Sequence, residues 1–159
     1  MFQDSYNHKN IIRNVLCGLI FTVFLFVLSC GKKNSTHNYD PTTWNGTQQL
    51  RSSSEDRGEG VTVDSSNNIY VTGSTQGGFD GNSQWGPSDL VLVKYNSSGT
   101  KQWTKQLETS SNDYAYGVAV DSSGNVYAAG NTGGALDGNT NAGGSDLFVV
   151  KYNSSGVKQ

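Results

Sequence analysis

From residue 60 onward, short apolar stretches of strand length alternate with clusters of Asp, Asn, Ser and Gly. Gly60-Val61-Thr62-Val63 runs into Asp64-Ser65-Ser66-Asn67-Asn68 and then Ile69-Tyr70-Val71-Thr72-Gly73. The polar cluster predicts a hairpin turn, because Asp, Asn and Gly tolerate positive φ and the Asp and Asn side chains bond the local backbone. A longer Gly- and Asn-rich connection, Ser74 to Ser88, leads to Leu90-Val91-Leu92-Val93-Lys94-Tyr95. Apolar residues follow one another there without alternation, which predicts a strand buried on both faces. Asn96-Ser97-Ser98-Gly99 then turns the chain into a fourth strand, Lys101 to Leu107.

The same unit recurs at a constant offset of 57 residues. Asp64-Ser65-Ser66 returns as Asp121-Ser122-Ser123 (121 − 64 = 57), Asp80-Gly81-Asn82 as Asp137-Gly138-Asn139, and Lys94 to Gly99 as Lys151 to Gly156. The strands of the second copy are expected at Gly117–Val120, Val126–Gly130 and Leu147–Tyr152, with an enlarged loop at Asn131 to Ser145. A fixed period of this length marks an array whose members cannot bury their apolar faces alone. Four antiparallel strands joined by tight turns, each sheet covered by a neighbour, is the plan of a propeller blade. The expected fold is therefore all-β: about two antiparallel four-stranded propeller-type repeats, residues 44–102 and 103–159, forming an incomplete propeller.

The segments Gly-Val-x-Val-Asp-x-x-x-Asn-x-Tyr-x-x-Gly and Asp-Leu-x-x-x-Lys-Tyr-Asn-x-x-Gly-x-x-x-Trp resemble the SBBP repeat, named for seven-bladed β-propellers. The resemblance covers about residues 44 to 159. It implies the fold and carries no shared catalytic set onto these positions. Closed propellers typically have four to eight blades, and about two are present here. Gln159 aligns with Gln102, one residue before the strand tryptophan Trp103. Trp44-Asn45-Gly46-Thr47-Gln48-Gln49-Leu50 resembles that fourth strand with two extra residues, and is expected to supply it by pairing back. Three readings stay open: the front of a longer reading frame, a self-assembling ring, or a small open pair of blades. An uncovered blade face exposes apolar residues and strand edges, which favours self-association.

The N-terminal thirty residues read differently. Lys9 and Arg13 precede an apolar run from Val15 to Leu28, interrupted only by Gly18 and Thr22. About 14 residues are too few for a membrane-spanning helix, which needs about 20, and suit a signal segment. Val27-Leu28-Ser29-Cys30 resembles the lipobox of bacterial lipoproteins, although Leu28 is a permissive residue at its position. The resemblance implies that Cys30 carries a diacylglycerol and becomes the first residue of an exported protein held on the bacterial cell envelope. Cys17 cannot reach it, since thirteen helical residues span about 20 Å. Gly31 after the cysteine is not the aspartate linked in some bacteria to inner-membrane retention, which points to the outer membrane or surface. Residues 31–43 have no apolar period and read as a flexible tether.

Charge excludes one class of partner. Without Lys9, Arg13 and Asp4, nine basic residues (11 − 2) stand against twelve acidic ones (13 − 1), with no basic patch that would favour nucleic acid. The repeats hold no histidine, so an ordinary Ser-His-Asp triad is not expected, and Ser65, Ser66, Ser122 and Ser123 lack a Gly-x-Ser-x-Gly elbow. Candidate chemistry sits in the enlarged loops. Asp137, Asn139, Asn141 and Asp146 place oxygens at spacings a hard cation such as Ca²⁺ can use, and Asp80, Asn82 and Asp89 offer a thinner set. The competing role for these side chains is closing turns; no resident cofactor or metal is expected. Trp85, in a loop and not repeated, is the first candidate for stacking on a sugar. The expected function is a non-catalytic binding or scaffold module for a protein or glycan partner, tethered to the membrane through its lipid. Its rivals are a carbohydrate-active or lactone-cleaving enzyme and a fragment of a longer propeller.

Overall fold

The computed structural model describes Trp44 and residues 46–159. The expectations for the signal segment, for Cys30 and for the tether lie outside these residues. The described chain is all-β. Strands β1 (Asp56–Val63), β2 (Ile69–Thr75), β3 (Asp89–Tyr95) and β4 (Lys101–Leu107) form one antiparallel sheet in sequence order. Strands β5 (Asp113–Val120), β6 (Val126–Thr132) and β7 (Asp146–Tyr152) form a second, with a short 3-10 turn at Leu136–Gly138 before β7. Beyond Tyr152 the second sheet gains only a bridge from Tyr152 to Lys158 and a bond from the Gln159 N–H to the Lys151 carbonyl.

The strands follow the apolar runs, but β1 and β5 begin four residues earlier than the runs suggest. A bulge explains this. Register shifts between Gly58 and Gly60 in β1, and between Ala115 and Gly117 in β5, so that Glu59 and Tyr116 are the extra residues. The bulge brings the first strand so close to the second that a Cβ on Gly73 would lie 1.8 Å from the Arg57 carbonyl oxygen. A Cβ on Gly130 would lie 1.8 Å from that of Tyr114. Only glycine fits at either place.

Alternation along the strands separates each sheet into two faces. Tyr70, Leu90, Leu92, Trp103 and Leu107 share one face of the first sheet; Ile69, Val71, Val91, Val93 and Tyr95 share the other. The first face packs onto the second sheet. Tyr70 and Leu92 join Val126, Ala128, Val150 and Tyr152 in one buried cluster, with Trp103, Leu107, Val118 and Val120 against it. Trp103 bridges the sheets, its ring centroid 6.0 Å from Tyr70 and 6.4 Å from Tyr152. Polar bonds fix the same junction. Lys94 Nζ and Trp103 Nε1 both donate to the Ser154 carbonyl, at 3.1 and 3.3 Å.

The other face of the first sheet holds a separate cluster of Phe79, Val91, Val93 and Tyr95, with Leu50 and Ile69 beside it. Here the expected strand from Trp44 to Leu50 does not form, and the segment does not pair back onto the second sheet. It lies instead against the first, with the Trp44 ring edge-on to Tyr95 at 5.8 Å. The expectation of a doubly buried middle strand holds for β3 and fails for β7. Leu90 and Leu92 are 0% exposed, while their counterparts Leu147 and Val149 are 79% and 63% exposed. β3 is covered by the second sheet on one face and by Phe79 and the segment from Trp44 to Leu50 on the other, whereas β7 is covered on one face alone.

Candidate functional site

Strand direction places the enlarged loops and the Glu108–Asn112 link at one end of the sheets, and the tight hairpins at the other. At the hairpin end, Asp64 and Asp121 do identical work. Asp64 Oδ1 accepts from the Ser66 and Asn68 N–H groups at 2.8 and 2.9 Å, and Oδ2 from Asn68 Nδ2 and the Tyr70 hydroxyl at 2.8 and 3.0 Å. Asp121 repeats the pattern with Ser123, Asn125 and Tyr127. Burial disfavours charge on Asp64, but the bonds from Asn68, Tyr70 and Ser66 outweigh it and hold the carboxyl below its ordinary pKa. The bonds from Asn125 do most to bring Asp121 down to about 2.

The loop candidates do not gather into one site. The loop after β2 folds back over the sheet, where Phe79 enters the apolar cluster and Asp80, at φ 52°, faces β4. Asp80 accepts from Lys101 Nζ and the Thr104 hydroxyl, both at 2.5 Å, and these bonds hold its pKa low. Its copy Asp137, at φ 54°, pairs with Lys158. Asn82 and Asn139 close the bend, their Nδ2 groups donating to the Phe79 and Leu136 carbonyls. Asp89 is fully buried and accepts from Gln106 Nε2 at 2.8 Å and from the Trp85 and Gly86 N–H groups at 3.3 Å. Asp146 accepts from the Ala142 N–H at 2.7 Å, and Asn141 Oδ1 from that of Gly143 at 2.8 Å. Among the described residues, no three of His, Cys, Asp and Glu come together as a metal site requires.

Trp85 is the exception among the candidates, since its backbone is held by Asp89 while its side chain is 72% exposed. Ala142 occupies the matching place in the second copy, on the same turn made by Asp146. Glu108 follows β4 at the same end of the sheet, with its pKa raised by burial and by Asp89.

A second set of carboxylates escaped the sequence reading. Asp113, fully buried at the start of β5, accepts from the Thr109 N–H and hydroxyl at 2.6 and 3.2 Å and from the Thr132 hydroxyl at 2.5 Å. Asp56 makes the same knot with Ser52 and Thr75. The signal was available as a hydroxyl residue four positions before an aspartate in both copies, with a threonine 19 residues after it.

Sheets built by consecutive antiparallel strands and stacked face to face define a propeller-type repeat protein. The beta-propeller repeat family SBBP matches the chain twice, at residues 46–80 and 102–137. No curated protein matches the chain.

Proposed function

We propose that this is an exported, lipid-anchored propeller-type module that acts without catalysis, binding a protein or glycan through the loop end of its sheets. The observation that carries this reading is the contrast between the loop carboxylates and Trp85. Asp80, Asp89 and Asp137 are engaged by lysines, a glutamine or backbone N–H groups of the same chain. The indole, by contrast, is presented to solvent on a turn pinned from below. A large aromatic held on a rigid turn offers a stacking surface at low entropic cost. The anchor follows from Cys30, placed at the end of the apolar N-terminal run.

Binding of the full chain to a panel of immobilised glycans and peptides tests the surface: Trp85→Ala should lower binding at least tenfold, and unchanged binding removes it from the loop end. Metabolic labelling with a radiolabelled fatty acid tests the anchor, which requires loss of label in Cys30→Ala.

A further inference from the structure

The junction between the two sheets is a template for a second junction that the described residues leave open. Within the chain, the face carrying Tyr70, Leu90, Leu92 and Trp103 covers Val126, Val150 and Tyr152. Shifted by 57 residues, the first group becomes Tyr127, Leu147 and Val149, which lie on the uncovered face of the second sheet. Shifted back, the second group becomes Ile69, Val93 and Tyr95, which line a cleft of about 430 Å³ on the first sheet. The two open faces are thus copies of the two faces already joined.

The segment before β1 carries the argument further. Trp44 sits against Tyr95 as Trp103 sits against Tyr152, and Leu50 borders the cleft cluster as Leu107 borders the inter-sheet cluster. Gly99 and Gly156, both at positive φ, repeat the relation. A Cβ on either would come within 3.0 Å of the tryptophan ring that covers it, Trp44 or Trp103. The segment therefore occupies the place, relative to the first sheet, that β4 occupies relative to the second. It behaves as the last strand of a preceding sheet whose other strands are missing from the cleft.

We propose that chains of this protein associate head to tail. The free face of the second sheet of one copy fills the cleft of the next, and the Trp44–Leu50 segment of that neighbour lies along the open side of β7. In the first sheet, Gln106 on β4 bonds the Phe79 N–H, the Gly77 carbonyl and Asp89. The matching groups in the second sheet are Leu136, Gly134 and Asp146, which face a cavity of about 540 Å³. Gln49-Leu50 repeats the Gln106-Leu107 pair, so Gln49 of the neighbour fills the role of Gln106 there. Lys151, standing 5.6 Å over Tyr127 as Lys94 stands 5.3 Å over Tyr70, reaches the neighbour's Ser97 carbonyl as Lys94 reaches that of Ser154. Such an interface joins different surfaces on each copy, so it closes into a ring or continues as a filament according to the rotation per copy. It also completes a sheet by strand donation. The association is independent of what the loop end binds.

The test is photocross-linking of the full chain in its own membrane, with p-benzoylphenylalanine in place of Val149. Covalent species at whole multiples of the chain mass are expected, joined to residues 61–71 or 91–95 of another copy. Adding Leu147→Asp should cut the yield at least tenfold. That residue is exposed, so the sheet circular dichroism of the variant stays unchanged. Gln49→Glu sets a second carboxylate against Asp146 and should lower the yield several-fold. Species of single-chain mass only, cross-links to a different polypeptide, or yields indifferent to Leu147→Asp overturn the proposal. A yield indifferent to Gln49→Glu alone overturns the strand donation.

Discussion

Leu90 and Leu147 hold the same place in two copies of one sequence unit, yet one is wholly buried and the other almost bare. The reverse holds on the opposite face. Val61 and Val63 are exposed in the first sheet, whereas Val118 and Val120 pack against the inter-sheet cluster. The residues compared are identical in the two copies, so position in the stack sets the environment. A repeat of this kind stores only part of its stability within itself and the rest in its contacts with neighbours.

The largest effect should separate the two middle strands. Leu92→Ala removes a side chain from the inter-sheet cluster and should cost about 2–5 kcal/mol in denaturant unfolding. Val149→Ala in dilute, dispersed chain should cost less than about 0.5 kcal/mol, the usual range for an exposed position. If the free faces associate, that gap narrows as concentration rises. Equal costs at every dilution would mean that the sheets do not stack as described.

A smaller difference is expected between the carboxylate knots. Asp113→Ala leaves the buried Thr132 hydroxyl and the half-buried Thr109 N–H without their acceptor and should cost about 2–3 kcal/mol. Asp56 is only partly buried, so water can replace it more easily and Asp56→Ala should cost less. Thermal unfolding of the two variants side by side decides the order.

The hairpin aspartates should behave alike, which makes them a control. Both carboxyls titrate below the unfolded value of about 4, so each stabilises the folded chain above that pH. That stabilisation is lost as pH falls through the lowered pKa of each carboxyl, about 2 for Asp121. Asp64→Asn and Asp121→Asn should each flatten the fall in melting temperature over this window. A fall of undiminished steepness in either variant would place the acid sensitivity elsewhere.

Much of the architecture was legible along the chain because strands and turns are written locally. The apolar runs marked β2, β3, β6 and β7, and the Asp-Ser-Ser-x-Asn clusters marked turns that form through Asp64 and Asp121. What escaped depended on partners far away in sequence. Asp80 and Asp89 have the composition of ion ligands when read with their neighbours alone. Lys101 and Gln106, 21 and 17 residues on, already occupy them. The bulge in β1 was hidden because Asp56 to Glu59 is polar; in β5 the run Tyr114-Ala115-Tyr116 did signal an earlier strand start, and Gly73 and Gly130 recorded the close approach in both. The fate of Trp44 to Leu50 was misjudged because its likeness to β4 says which surface it fits, not which sheet it joins.

The fastening of the enlarged loops bears on how such a unit can diversify. Each is clamped near its start, by Asp80 to Lys101 or Asp137 to Lys158, and again at its root by Asp89 or Asp146. Between the clamps the copies carry different residues at several positions, Gln84 and Trp85 in one and Asn141 and Ala142 in the other. Substitution or insertion there leaves both fasteners and the sheet beneath untouched. Selection can therefore vary a handful of residues in every unit of an array, while the frame that displays them is inherited unchanged.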